Sequence, residues 1–513
     1  MGNETGESSV VKHLNVLVRI AHKINDFKNN MNKAMEGKYS PTIIALCATF
    51  CASLIMIIIL FVPNYLGVAD DGSISPVMNA AGVFYIQDDV EDIYNNYFVK
   101  TYSNVVSQDN QTNSQMSSHI ALVKMAVGLD NLLTKDRFFD IRYLGLLYTI
   151  LFIPAMFLLI KQACSRVKRF SEGSIIAVFG VLIFADVAYI TYFNSFYPEA
   201  IWMISLTYCV AAAMTFQEDR SGFVDFGYLI LFLAAGTVLV SSKKQCAFIG
   251  IILAIYCIKL LFARKNWMWG VICVLSALYI SFIGIFCMMR LSSDFDDTSK
   301  FHAMTRGVLF ESDNPAETLA EFGIPASYEM LTDASSYDFL PLINADNPIL
   351  EEGFLDQYSV ADIPGYYVRH PGRLISMLDV SIKSCFNVRR SYCGNYEQSV
   401  GMAKQAKSLF FSVWSTFKAT SAPKTIGFLF ILIGAIIMLF SRGYSVRPDT
   451  DRRNTVFLDI LLVVVLVLLS QAITTIINSG DAEMVQHCFL VSFGIDILTY
   501  FVFAEILHKL NIF

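Results

Sequence analysis

The sequence predicts an all-α polytopic membrane protein, and three observations carry that prediction. The chain has 513 residues, of which 55% are hydrophobic and only 16% charged. A soluble domain runs nearer about 45–50% apolar and about 25% charged. The mean hydropathy is +0.51. The apolar residues are gathered into runs long enough to cross about 30 Å of hydrocarbon as helices, which takes roughly 20 residues. The net charge of −6 decides little, because the placement of Lys and Arg sets orientation.

Residues 1–40 are a mostly polar segment. Within it, 8–35 repeat apolar positions at helical spacing (Val11, Leu14, Val18, Ala21). That spacing predicts an amphipathic helix on the inner leaflet, drawn in by its lysines. The first apolar run, 42–62, follows this polar segment and reads as an uncleaved anchor. Further spans are expected at 143–160, 174–193, 200–216, 226–240, 247–262, 267–289, 425–440, 456–477 and 488–507, about 10 in all. The fifth and sixth are short for a crossing. The chain therefore divides into 1–40, a first membrane block 41–289, a polar segment 290–423 and a second membrane block 424–513.

Orientation follows from the basic residues. Lys12, Arg19, Lys23, Lys28, Lys33 and Lys38 precede the first span. Lys161, Arg166, Lys168 and Arg169 follow the second, and Arg442, Arg447, Arg452 and Arg453 follow the eighth. All three groups fall on one side of a ten-span chain, so that side is cytoplasmic and both termini lie there. Loop 64–142 and segment 290–423 then face outward. In the latter, 313–323 reads as a capped helix, with Asn314 as N-cap, Pro315 first, Glu317 reciprocating and Gly323 as stop. Acids dominate this segment up to Asp362 and bases from Arg369 to Lys418, which suits a basic half facing anionic head groups.

Most of the cysteines lie in spans as small apolar fillers. Cys385 and Cys393 face outward, eight residues apart, and leave a disulfide open. Asn110-Gln111-Thr112 fits a glycosylation acceptor without deciding the compartment. The sequence holds no CxxC, no HExxH and no run with metal-ligand spacing.

The chemistry concentrates in outward-facing acids. "LGVADDGSIS" places Asp70 and Asp71 just beyond Pro63, where the chain leaves the membrane, with no base within ten residues. "YFNSFYPEAIW" holds Glu199 in a very short loop, and "NSGDAEMVQH" carries Asp481, Glu483 and His487. Three loops thus set acids at one depth. Asp186, inside the third span, is an ionisable residue of the kind that marks function in a membrane. "SSKKQ" supplies the opposite sign, with Lys243, Lys244 and Gln245 between the fifth and sixth spans. A lysine pair at the interface suits the phosphate of a lipid-linked substrate. The alternative is that this loop lies on the basic-rich side and the span count is off by one. Acids beside a phosphate-binding base suggest glycosyl transfer from a lipid phosphate. A carboxylate accepts the proton of the attacking hydroxyl, and cations stabilise the departing phosphate.

These residues resemble those of the GT-C superfamily of membrane glycosyltransferases, which share a first span, a long outer loop opening with an Asp, and many further spans. The chain is most similar to bacterial membrane hexosyltransferases of surface-glycan biosynthesis. The resemblance rests on "ADDGSISPVMNAAGVFY" (69–85), "FNSFYPE" (193–199), "SSKKQ" (241–245), "HPGRL" (370–374), "YCGNYEQSVG" (392–401) and "GDAEMVQHCF" (480–489), in order along nearly the whole chain. The family loop reads Asp-Asn-Gly-Asp. Asp70 keeps its first position, while Asp71 and Ser73 replace the second and fourth. The resemblance implies a GT-C-like bundle, a polyprenyl-phosphate sugar donor, a glycan or lipid-linked acceptor, inversion at the anomeric carbon and an extracytoplasmic site in the cell membrane. It implies Asp70 as general base, beside Asp71. Loss of the fourth-position acid weakens a metal site, and a divalent cation is the one cofactor left open. Membrane lipids are expected as partners and nucleic acid is not. A multi-span transporter or lipid flippase is the competing class, and a non-catalytic scaffold a third.

Overall fold

The computed structural model describes residues 23, 26, 29–30, 33, 40–86, 93–104, 117–216, 222–264, 266–290, 297–335, 348–359, 361–442, 444 and 453–510. The amphipathic helix expected at 8–35 lies largely outside the described residues, as do the Asn110 acceptor and Arg447 and Arg452.

The described chain is mostly helical. Seven helices are long and apolar enough to cross a membrane: Pro41–Phe61, Arg142–Arg166, Phe223–Val240, Lys244–Ala263, Trp267–Arg290, Asn454–Ser479 and Phe489–Leu510. An eighth crossing is broken, with Phe170–Phe184 and Val187–Asn194 meeting at 43°. The remaining two expected spans are apolar helices of only 15 residues, Glu199–Ala213 and Ile426–Phe440. At 1.5 Å per residue each is about 22 Å long, short of the hydrocarbon thickness. The structure therefore gives seven or eight candidate spans where ten were expected.

The expected short spans are of full length. The fifth starts early, at Gly222, because its polar first turn is neutralised: Asp225 is buried and paired with Arg264. The sixth gains a 3₁₀ turn at Lys244–Cys246. Between the sixth and seventh, a Cβ on Gly250 would meet Ile280 O at 2.9 Å, so glycine lets these two backbones close. Without water between helices, such close packing is a main source of association.

The break in the third span has a local cause. Asp186 caps the second half, its Oδ1 accepting the Ala188 N–H at 2.9 Å. Its Oδ2 accepts the Ser415 N–H at 2.9 Å, from the helix Val413–Thr420. The ionisable residue singled out inside this span is thus occupied by two backbone donors. Deeper in the same junction, Lys418 Nζ lies 2.8 Å from Asp496 Oδ1 and donates to Ser492 Oγ at 2.8 Å. Tyr189 donates to the other oxygen of Asp496.

The two long polar segments gather at one end of the bundle. The first also contains a small antiparallel sheet, which departs from the all-α expectation. Its strands are β1 (Val83–Phe84), β2 (Thr101–Asn104) and β3 (Phe138–Asp140), in the order β1-β2-β3, with Val83 opposite Asn104 and Tyr102 opposite Phe139. Tyr102 and Phe139 are buried and pack on Phe196, with ring centroids 5.0 and 6.0 Å away. The helix Ser118–Leu133 is capped by Ser117, which accepts from the Ile120 N–H at 3.2 Å. In the second segment Asn314 caps Pro315–Ala320 as expected, accepting the Glu317 N–H at 3.4 Å, and Gly323 follows with φ +74°. Cys385 and Cys393 are both free thiols; Cys385 Sγ donates to Ser381 O at 3.0 Å, and Ser381 Oγ lies 3.1 Å from Cys488 Sγ.

Candidate functional site

The loop that leaves the first span is held in place by backbone hydrogen bonds from far along the chain. Gly67 N donates to Asn395 O at 3.1 Å and Ala69 N to Gly394 O at 2.9 Å. Gly394 N in turn donates to Asn95 O at 2.9 Å, and Asn95 N to Asp70 O at 2.7 Å. A Cβ on Gly394 would lie 2.1 Å from Asn96 O, so this mesh closes only on glycine. The "YCGNYEQSVG" stretch is therefore the clamp that sets Asp70 and Asp71.

"FNSFYPE" braces the same loop from the other side. Asn194 donates to Leu60 O at 3.2 Å and Leu66 O at 2.9 Å. The Tyr197 hydroxyl donates to Ala69 O at 3.0 Å and accepts the Asp71 N–H at 2.9 Å. Two residues on, Glu199 opens the next helix and is fully buried.

The residue that joins these acids is Arg390, which the sequence did not single out. Its Nη1 lies 2.6 Å from Asp71 Oδ2 and its Nη2 lies 2.6 Å from Glu199 Oε1. The guanidinium also stacks on Tyr197, 4.1 Å from the ring centroid. Side-chain exposure is 1% for Arg390, 3% for Asp71 and 0% for Glu199, so the triad is dry. Gln486 faces the pair, its amide placed to donate to Asp71 Oδ2 and to accept from Arg390 Nη2, each at 3.3 Å. A signal existed: acids at one depth with no local base require a distant one, and Arg389-Arg390 adjoins the "YCGNYEQSVG" stretch.

Asp70 points the other way. Its Oδ1 accepts the Gly72 N–H at 2.7 Å and its Oδ2 the Tyr85 hydroxyl at 2.5 Å. Burial raises its pKa above the ordinary aspartate value, against those two hydrogen bonds, with the Asp71 charge adding to the rise. Among the described residues Asp70 is held by hydrogen-bond donors, with Ile74 N–H besides Gly72 and Tyr85, and pairs with no cation, whereas Asp71 has Arg390.

The remaining expected residues divide. Glu483 belongs with the cluster: burial and the Asp71 charge raise its pKa, and Arg390 and Lys243 oppose the rise. Asp481 does not, since it pairs with Arg306 at 2.7 Å. His487 is pushed down to about 3 by burial, then by the charges of Lys243 and Arg390, so it is neutral. His119, which the sequence reading passed over, is likewise pushed down to about 3 by burial and Lys243. The lysine turn therefore sits at this end of the bundle. Ser118 confirms the placement, its N–H donating to Ser241 O at 3.1 Å. Gln245 is structural in part, donating to Thr475 Oγ1 at 3.1 Å and His487 O at 3.0 Å.

Beyond Lys244 and Gln245 runs an apolar groove of about 830 Å³. Phe248, Ile251 and Ile252 line one wall and Ile473 and Ile477 the other, with Pro364 of the second polar segment above. Among the described residues, no group of three or more His, Cys, Asp or Glu could hold a metal ion. Two of the cluster's carboxylates, Asp71 and Glu199, are taken up by Arg390.

Fold and site together define a multi-pass membrane protein with a dry, charged cluster at one end of its helix bundle. The family model described as the YfdI N-terminal transmembrane domain matches residues 26–513, and the chain belongs to that family. No curated protein and no solved structure matches it.

Proposed function

We propose that the protein is an inverting glycosyltransferase that moves a sugar, a hexose by resemblance, from a polyprenyl-phosphate donor to a cell-surface glycan or lipid-linked acceptor on the extracytoplasmic side. One observation carries the reading. Buried carboxylates around Arg390 lie within electrostatic reach of Lys243, next to Lys244 and Gln245 at the head of an apolar groove. A groove of that kind suits a prenyl tail, and lysines at its head suit a phosphate.

Asp70 is the general base of this scheme. It is desolvated and pairs with no cation among the described residues, so it holds a proton more strongly than a carboxylate paired with arginine. It takes the proton of the acceptor hydroxyl as that oxygen attacks the anomeric carbon. The anomeric carbon–oxygen bond breaks and the phosphate leaves with the electron pair, held by Lys243 and Lys244. Asp71, Glu199 and Arg390 form the fixed frame beside it. Reconstitution with radiolabelled polyprenyl-phosphate hexoses tests the proposal. Transfer of label to a glycan or lipid acceptor is expected, and no transfer from any of them sinks it.

The broken third span and the buried Lys418–Asp496 pair favour a second reading, a transporter or lipid flippase. Uptake of label without a new glycosidic bond, in the same vesicles, would select it.

A further inference from the structure

A second cavity, of about 570 Å³, opens where the first polar segment meets the "YCGNYEQSVG" stretch. Tyr85, Tyr97 and Lys100 line one side and Glu397, Gln398 and Ser399 the other, and apolar side chains, Ile93 and Phe98 among them, complete the lining. The volume is within the range of small-molecule sites, about 300–1,000 Å³. Its walls are fixed by the same mesh that sets Asp70, with Phe98 N donating to Tyr396 O at 2.9 Å and Gln405 N to Asn96 O at 3.1 Å.

The lining selects a class of ligand. Tyrosine rings offer flat apolar faces with a polar rim. A carboxylate, an amide, a hydroxyl and an ammonium add donors and acceptors around them. Lys100 and Glu397 offset each other, and Lys100 lowers the pKa of Glu397 against the effect of burial. A free phosphate would meet that carboxylate, and a lipid tail would desolvate the polar groups without replacing their hydrogen bonds. A pyranose satisfies both demands, stacking its C–H face on a ring and hydrogen-bonding through its hydroxyls. Tyr85 belongs both to this cavity and to Asp70, whose carboxylate accepts its hydroxyl at 2.5 Å.

We propose that this cavity binds a saccharide, and that it is the acceptor subsite that holds a non-reacting sugar of the acceptor glycan, with the Tyr85 side chain between it and Asp70. The second half of that statement rests on the glycosyltransferase reading and the first does not. The full chain in lipid nanodiscs is therefore examined by saturation-transfer difference NMR with the methyl glycosides of glucose, galactose, mannose and N-acetylglucosamine. At least one is expected to show saturation transfer. Glu397→Gln removes a hydrogen-bonding charge, and Ser399→Trp, at an exposed position, fills the cavity from its edge. Each is expected to weaken the signal about fivefold or more, the loss that goes with one hydrogen bond of about 1 kcal/mol. No signal from any glycoside, or an unchanged signal in folded Ser399→Trp, overturns the saccharide site. In the transfer assay the same variants are expected to raise the acceptor KM while the donor KM stays fixed. If no hexose is transferred by wild type yet a glycoside binds, the transferase reading fails and the saccharide site stands. If transfer proceeds with an unchanged acceptor KM, the subsite assignment fails alone.

Discussion

Arg390 and Asp71 lie 319 positions apart in sequence and 2.6 Å apart in space. The contact joins the loop after the first span to the second polar segment, and the other arm of Arg390 reaches Glu199. Dry ion pairs of this kind gain little over an apolar replacement, because desolvation offsets attraction. Removing one partner is different, since it strands the others.

Arg390→Gln is therefore expected to destabilise the protein strongly. Asp71 and Glu199 would remain buried with no cation between them, at a cost of about 3–5 kcal/mol. Thermal unfolding in detergent should show a large drop in midpoint. Arg390→Lys should recover part of it, because one ammonium cannot span both acids as the planar fork does. A wild-type midpoint in Arg390→Gln would show that the triad is not what holds the loop.

The Lys418–Asp496 pair offers a cleaner test of the same physics. Either Lys418→Met or Asp496→Leu leaves an unpaired buried charge and should cost about 3–5 kcal/mol. The double variant removes both charges and should be close to wild type, so the cycle gives a large coupling energy. Additive losses in the double variant would mean that the two groups do not act as a pair.

How far the sequence reaches is visible in these two clusters. The long apolar helices were legible because crossing hydrocarbon demands a length and a composition that need no partner. The count was less so, because Glu199–Ala213 and Ile426–Phe440 are as apolar as spans and differ only in length. Asp71 and Glu199 could be placed at one level from loop lengths alone. Arg390 could not be assigned to them, since it lies in a basic stretch that also suits a membrane surface. Asp186 was legible as unusual, but its task as a cap depends on Ser415, 229 positions away.

Topology is open to direct measurement. Loop 64–142 and segment 290–423 are expected to face away from the cytoplasm, because the basic loops face in. A cysteine introduced at Ser117 or Ser335, in a background without reactive native thiols, should be labelled by an impermeant maleimide on intact cells. Labelling only after permeabilisation would invert the chain and move the proposed site to the cytoplasm.

The lysine turn tests the donor side. Lys243→Gln with Lys244→Gln should weaken donor binding about tenfold or more, since a lost charge-assisted hydrogen bond costs roughly 1.5–3 kcal/mol. The change should appear in the donor KM. An unchanged donor KM in the folded double variant would remove these residues from the phosphate site.

The base can be tested through its proton. Asp70→Asn keeps the shape of the side chain and removes the base, so turnover should fall by at least about a hundredfold with donor binding nearly intact. Asp71→Asn should cost less turnover, because its carboxylate serves Arg390. The pH profile gives an independent check. Burial raises the Asp70 pKa above its usual 3.8, so the acid limb of the rate profile should lie above the ordinary aspartate range. Stability carries the opposite sign. The native state keeps this proton where the unfolded chain has lost it, so the contribution of Asp70 to stability falls as pH rises through that window. Tyr85 donates to the ionised carboxylate and so holds the pKa down. Tyr85→Phe should therefore move the acid limb to higher pH. An acid limb that does not move in Tyr85→Phe would mean that the titrating group is not Asp70, and the base would then lie among Asp71, Glu199 and Glu483.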